Sequence, residues 1–269
     1  MKHLPFLLAA LLSWSVAHCQ SVSTLMGSRA NAVGYSSSTL SDTWSIFNNV
    51  AGLAQVKNTI ASFTYDLHPS IVGANRTAAA FSLPIKFGTI GTGAYRFGDN
   101  LYNEQMLTVG FGNQFGLAAL GASINYIQYR TEGFGSKGVV SINLGGIANL
   151  TPHLSIGAYI LNINQPSINQ ADKLPTKLVA GLGYKPIEKV LVAIEIEKDL
   201  EYNPLWKMGM EYKLHEKFVA RTGFNLNPNV AFFGMGFKTK KFTIDYALQH
   251  STLLNFSHQA SVAYQFNKP

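Results

Sequence analysis

Trp206-Lys207-Met208-Gly209-Met210-Glu211-Tyr212-Lys213-Leu214 alternates without a break between large apolar residues and small or charged ones. A period of two is that of a β-strand, whose successive side chains point to opposite faces. The same alternation lies on both sides of this stretch. Before it, Val190, Val192, Ile194 and Ile196 interleave with Leu191, Ala193, Glu195 and Glu197; after it, Phe218, Ala220, Thr222 and Phe224 interleave with Lys217, Val219, Arg221, Gly223 and Asn225. Phe242, Ile244, Tyr246 and Leu248, then Phe256, Ala260, Val262, Tyr264 and Phe266, carry the pattern almost to the last residue. A small soluble barrel fills its interior with large apolar side chains. Here the face opposite the bulky one is Gly, Ala, Ser, Asn, Gln and charge, which cannot pack a dry core. The pattern predicts a transmembrane barrel with a wide polar lumen and its aromatic and aliphatic face turned to lipid.

Composition agrees. Of 269 residues 47% are hydrophobic, but only 13% are charged, where a soluble domain carries about 25%. Gly 24, Tyr 12 and Phe 17 against Cys 1 exclude disorder, a coiled coil and a disulfide scaffold. The formal charge is +7 and the pI about 9.4. No Lys/Arg cluster stands out beyond Lys238-Thr239-Lys240-Lys241, so no nucleic-acid partner is implied.

Residues 1–19 read as an export signal: Lys2 and His3 precede the apolar run Leu4 to Val16, which is too short to span a bilayer, and Ala17 and Cys19 supply a small-residue cleavage site. The alternative is a lipoprotein acylated at Cys19, for which His18 is a poor neighbour. With Lys2 removed the mature chain has 20 basic against 14 acidic side chains, a net +6. No later stretch is long and apolar enough for a membrane helix, so the chain is periplasmic or enters a membrane as β-structure.

About fourteen strand-like runs, each of about 9 to 12 residues as a tilted transmembrane strand requires, begin near Ile60, Asn75, Thr89, Glu104, Gly116, Gly138, His153, Thr176, Glu188, Pro204, Glu216, Asn229, Lys241 and Phe256. The expected fold is all-β: an antiparallel barrel over residues 59–266, a short tail at 267–269, and a partly helical plug over 20–58, where the alternation is absent. An even strand number places both termini in the periplasm of a Gram-negative bacterium. Tight connections at 84–88, 112–116, 150–153, 185–188, 214–216 and 238–241 would face that side. Longer ones at 68–73, 97–103, 130–137, 164–175 and 198–203 would face outward.

The leader also carries a resemblance. Gly27-Ser28-Arg29-Ala30-Asn31-Ala32-Val33-Gly34, followed by Asp42, Trp44 and Asn49-Val50-Ala51-Gly52-Leu53, resembles the leader of the PorV/PorQ family, within the FadL-like group of fourteen-stranded outer-membrane barrels. That family's pattern is Gly-x-Arg-Ala-x-Ala-Met-Gly, an acidic residue, then Asn-Pro-Ala-Gly-Leu. Val50 stands here in place of the proline. The resemblance covers about thirty residues and implies an accessory barrel acting with protein partners in type IX secretion or surface attachment.

No chemistry-bearing motif survives inspection, and neither an enzyme nor a cofactor is expected. Gly91-Thr92-Gly93 and Gly145-Gly146 fall inside strands rather than at phosphate-binding turns. His68, His153, His215 and His250 lack metal-ligand spacing. In His250-Ser251 and Ser257-His258, adjacent side chains point to opposite faces and cannot pair as nucleophile and base. The informative polar group is the lumen-facing set Glu195, Glu197, Lys207, Glu211, Lys213, Lys217, Arg221 and Asp245. Its mixed signs favour mutual ion pairs that brace the wall and hold the plug, with a solute or plug gate as the functional alternative; Arg221 or Lys207 is the expected plug anchor.

Two functions therefore follow, the first the leading expectation and the second its alternative. One is the PorV/PorQ-like role with secretion or surface-complex proteins. The other is a FadL-like plugged barrel that takes a hydrophobic small molecule across the outer membrane and releases it through a lateral opening, with the glycines of Gly88 to Gly93 permitting a wall kink. An open diffusion porin is disfavoured by the plug. Outer-membrane lipid is a partner in either case.

Overall fold

The computed structural model describes residues 23–168, 173–200 and 202–266. The expected signal at 1–19, cleavage or acylation at Cys19, and the tail at 267–269 lie outside the described residues. Fourteen strands follow the leader: β1 Ile60–Leu67, β2 Arg76–Ile85, β3 Gly88–Gly98, β4 Tyr102–Phe115, β5 Ala118–Thr131, β6 Gly135–Asn149, β7 Leu154–Leu161, β8 Lys177–Ile187, β9 Val190–Asp199, β10 Leu205–Lys213, β11 Phe218–Leu226, β12 Val230–Lys238, β13 Phe242–Ser251 and β14 Asn255–Gln265. Each pairs antiparallel with its neighbours in sequence, and β14 closes on β1 with Ile60 opposite Gln265. Closure leaves the ring without an edge strand, the condition for β-structure in lipid, although the distal part of β6 runs beyond its pairing with β7.

Alternation assigns the two faces as the residue types require. Trp206, Met208, Met210 and Tyr212 are exposed on the outside, whereas Lys207 between them is 2% exposed. The proximal end, where β1 begins and β14 stops, carries only short turns. At the distal end most hairpins are tighter than expected. β3 runs to Gly98 and β4 starts at Tyr102, and β5 and β6 reach Thr131 and Gly135. Only 68–75 and 162–176 are long connections there.

Two expectations need correction. The glycines of β3 do not kink the wall: the β2–β3 ladder from Arg76–Phe97 to Ile85–Gly88 and the β3–β4 ladder from Thr89–Gly112 to Gly98–Asn103 are unbroken. Nor is the plugged lumen polar throughout. The leader fills it, and Met26, Trp44, Ile46, Phe47, Val50 and Leu53 pack against inward wall residues such as Ala78, Ala80, Tyr95, Met106 and Ile127. Small inward residues make room for this second body. A Cβ on Gly121 would lie 2.7 Å from the Ala51 nitrogen, and one on Gly112 would lie 2.8 Å from the Ala54 nitrogen.

The face assignment has a measurable cost attached. Met208→Arg, near the middle of β10, is expected to destabilise the bilayer-inserted barrel by about 2–4 kcal/mol in urea unfolding. An unchanged midpoint would mean that this face does not meet lipid.

Candidate functional site

The plug enters the lumen near its distal end and leaves at the proximal end into β1. Its local structure comes from short-range caps. α1, Ser28–Ala32, is a single turn against β11 to β14. Asp42 caps a 3-10 helix, Thr43–Ile46: its Oδ1 accepts from the Trp44 N–H at 2.9 Å, and Ser45 Oγ accepts from the Asp42 N–H at 3.2 Å. Asn49 caps the next, Val50–Gln55, accepting from the Ala51 N–H and donating to the carbonyls of Ser38 and of Gly146 in the wall. Val50 takes the first helical position, where proline also fits. Gly52 faces the Leu40 carbonyl and Ser45 at a distance that leaves no room for a Cβ, and Leu53 is fully buried.

Two ion-pair groups fasten this body to the wall. In the first, the Arg29 guanidinium donates to both oxygens of Glu211, at 2.9 and 3.0 Å, and reaches Asp42 at 3.3 Å. Glu211 also accepts from Arg221 at 2.7 Å, and Arg221 pairs with Asp245 at 2.6 Å. Five charges thus run from plug to wall as Asp42, Arg29, Glu211, Arg221, Asp245. Burial disfavours the charge on Arg29, but Glu211 and Asp42 outweigh it and hold its pKa above the ordinary arginine value. In the second group Lys207 joins Glu195 at 3.0 Å and Glu197 at 2.6 Å, Lys177 joins Glu197 at 2.9 Å, and Glu195 accepts from the Ser38 N–H at 2.7 Å. The expected anchors Arg221 and Lys207 therefore act on the plug at one remove, through Glu211 and Glu195; Arg29 makes the direct ion pair.

Lys213 and Lys217 do not join either group. Both are exposed at the β10–β11 turn and form no ion pair among the described residues, because alternation ceases to imply burial once the chain leaves the barrel. Period-two reading missed a third group. Arg76 at the start of β2 pairs with Asp66, its Nε donating at 2.8 Å, while its other nitrogens donate to the Tyr35 hydroxyl at 3.3 Å and the Ser23 carbonyl at 2.9 Å. His68 lies 3.3 Å from the same carboxylate. Burial raises the pKa of the Tyr35 hydroxyl, partly offset by Arg76. His250 stacks on Phe256 outside the wall at 4.5 Å while Ser251 is buried within.

Beside the Arg76 group, at the distal end, lies a cavity of about 40 Å³ bounded by Leu25, Met106, Ile127, Leu161 and Leu174, with Asn125, Asn143, Asn162, Lys177 and Glu197 supplying polar atoms. It adjoins a step in the wall. β6 pairs with β7 only over Leu144–Asn149, so Gly135–Asn143 is laddered to β5 alone. The 162–176 connection touches that bare stretch through Ile163 N to Ile142 O at 3.0 Å and Asn164 Nδ2 to Val140 O at 2.8 Å. Val140, Ile163 and Leu178 present apolar side chains on its outer side.

Neither a family model nor a curated protein matches this sequence. Solved structures do match. The monoaromatic hydrocarbon channel CymD superposes with a TM-score of 0.74 at 13% identity, over 91% of this chain and 99% of its own. The toluene transporter TbuX of Ralstonia pickettii gives 0.70 at 12%, over 92% and 99%, and the P. putida toluene transporter TodX 0.68 at 13%, over 92% and 99%. The chain has the fold of these channels. At this identity the likeness is one of fold, and it lends nothing to the PorV/PorQ assignment.

Glu211 carries the plug's attachment. Glu211→Ala strands Arg29 and Arg221 together and is expected to cost about 3 kcal/mol or more, with protease cleavage of residues 23–58 and raised single-channel conductance in planar bilayers. A variant with wild-type resistance and conductance would mean that packing alone seats the plug.

Proposed function

We propose that this barrel sits in the outer membrane of a Gram-negative bacterium, proximal end to the periplasm, and carries a hydrophobic small molecule of about the size of a single aromatic ring inward past a sealed plug. The observation that carries the reading is the meeting of the distal cavity with the step in the wall: a pocket of mixed apolar and polar lining reaches Asn143, the last residue of the β6 stretch that lacks a second strand partner. A water-filled porin has no use for that arrangement, since its solute passes along the axis. Similarity of fold to the toluene channels supports the same reading. The cavity is smaller than an aromatic ring needs; an apolar cavity of about 150 Å³ holds benzene. Binding must therefore displace Leu174 or Leu25, which form its sides.

The PorV/PorQ-like alternative rests on the leader motif. Arg29, Asp42, Asn49, Gly52 and Leu53 have work inside the lumen, seating the plug, where no protein partner reaches. With most distal connections as tight hairpins, little surface remains to grasp a cargo protein. The amino end of the described chain also departs from an all-periplasmic arrangement: Ser23 lies beside Arg76 at the distal end, with the plug threaded through the lumen between it and β1.

Cells carrying the barrel are expected to take up radiolabelled toluene faster than cells without it, and equal rates would remove the proposal. The lateral route has its own test. Val140→Cys with Ile163→Cys, bridged by a short thiol-reactive cross-linker cleavable by reductant, is expected to abolish the gain in uptake and to restore it on cleavage. Uptake indifferent to the cross-link would place the route elsewhere.

A further inference from the structure

The positive charge of the chain is not spread evenly along the barrel. Three neighbouring proximal turns hold seven of the 21 Lys and Arg residues. Lys185 and Lys189 flank the β8–β9 turn and Lys213 and Lys217 the β10–β11 turn, while Lys238, Lys240 and Lys241 make up most of the β12–β13 turn. Glu188 and Glu216 are the acidic residues among them. All seven lysines are exposed, and none forms an ion pair among the described residues. Round the same rim, the β4–β5 turn, Gly116-Leu117, and the β6–β7 turn, 150–153, carry no Asp, Glu, Lys or Arg, and the β2–β3 turn carries Lys86 alone. At the other end of the same strands, 227–229 and 252–254 are likewise uncharged. The densest run of unpaired positive charge is thus an arc from β8 to β13 at the proximal end.

A second regularity fixes its depth. At the strand ends the lysines adjoin exposed aromatics: Tyr184-Lys185, Tyr212-Lys213, Lys217-Phe218, Phe237-Lys238 and Lys241-Phe242. The aromatics form a belt, with Phe218 and Phe237 ring centres 5.0 Å apart, and Phe242 and Tyr264 also 5.0 Å apart. Such belts lie at the level of the lipid headgroups. In each pair the aromatic is on the strand and the lysine is one residue farther from the bilayer centre, or, in Lys217-Phe218 and Lys241-Phe242, one residue before the strand begins. The ammonium groups therefore stand at phosphate depth.

We propose that this arc binds the headgroups of anionic phospholipids in the periplasmic leaflet, so that the barrel gathers phosphatidylglycerol or cardiolipin around β8 to β13. Several unpaired ammonium groups at one depth match a layer of singly or doubly negative phosphates, whereas zwitterionic phosphatidylethanolamine offers no net charge. The proposal rests on the outer-membrane insertion and orientation proposed above, but not on what the barrel carries.

The full chain, reconstituted in nanodiscs of phosphatidylethanolamine and phosphatidylglycerol, is released into detergent, and its retained lipids are weighed by native mass spectrometry. Phosphatidylglycerol is expected to be enriched at least tenfold over its share of the nanodisc, and less so at high salt. Lys185→Gln, Lys189→Gln, Lys213→Gln and Lys217→Gln together should remove the enrichment, at about fivefold per lysine at most. Lys137→Gln with Lys173→Gln, an equal kind of change at exposed distal positions, should leave it intact. Heat-modifiable gel migration checks folding; if the fourfold variant fails it, the pairs Lys185/Lys189 and Lys213/Lys217 are changed separately, each with partial loss. Equal retention of the two phospholipids, enrichment that survives the rim changes, or preference for lipopolysaccharide in mixed nanodiscs would each overturn the proposal. Toluene uptake is scored separately, so failure of transport leaves this result standing.

Discussion

A ring of fourteen strands encloses more space than inward side chains of ordinary size can fill. The space can hold water, as in porins, or a second body. Here it holds residues 23–58 of the same chain, and that choice sets the residue types of the inner wall. Gly112, Gly121, Gly223 and Gly157 are small because plug backbone lies against them. Phe232, by contrast, is large and inward because it meets the plug's Tyr35 edge to face at 6.4 Å. The wall is thus complementary to the plug position by position, as two protein surfaces in an interior are.

Shape alone does not explain the charges. Replacing a buried ion pair by packed apolar residues often leaves stability unchanged or improves it, whereas removing one partner is costly. The pairs here run across a boundary between two bodies, and that gives them a different task. Glu211 accepts from an arginine of the plug and an arginine of the wall at once, and Glu195 accepts from a plug backbone N–H and a wall lysine. Each carboxylate is satisfied only when the plug sits in one register. Apolar contacts tolerate sliding by a residue; a carboxylate shared between two fixed donors does not. The registry of the plug is therefore written in polar atoms, and its stability mainly in the buried Trp44, Ile46, Phe47 and Leu53.

What could be read from the sequence follows the same division. Strands with bulky residues on one face and small or charged ones on the other, such as β10 and β13, were legible because lipid and lumen impose opposite demands on alternate positions. β2 starts within one residue of the expected Asn75, but Thr77-Ala78-Ala79-Ala80 is small on both faces and does not show which side Arg76 takes, so the Arg76–Asp66–Tyr35 group stays hidden in the sequence. Lys213 and Lys217 were misplaced because parity carries meaning only within the bilayer-spanning part of a strand. Hairpins such as β5–β6 extend into the stretch 130–137, where hydrogen bonding continues in water although the hydrophobic alternation has stopped. The plug was legible as a folded segment from its apolar residues and its capping Asp42, but not its path, which depends on contacts with strands more than a hundred residues away.

The seal also decides which part of the wall can admit a guest. The plug is fastened low in the lumen by Arg29 and in the middle by Ser38 and Asn49, so moving it as a whole means breaking several buried polar contacts together. Leu174, on the other side of the cavity, belongs to the 162–176 connection, which meets the bare stretch of β6 through a few hydrogen bonds at Val140 and Ile142. Those groups can exchange partners with water at the distal rim, and such exchange costs little. The connection therefore yields before the plug does. An apolar guest that enters beside Leu174 finds Val140, Ile163 and Leu178 leading to lipid and, below it, a lumen closed by packed side chains. Water and ions gain nothing from an apolar side exit and meet the packed plug, so in the function proposed above selection for hydrophobic solutes would follow from where the wall is thin rather than from a tight binding pocket.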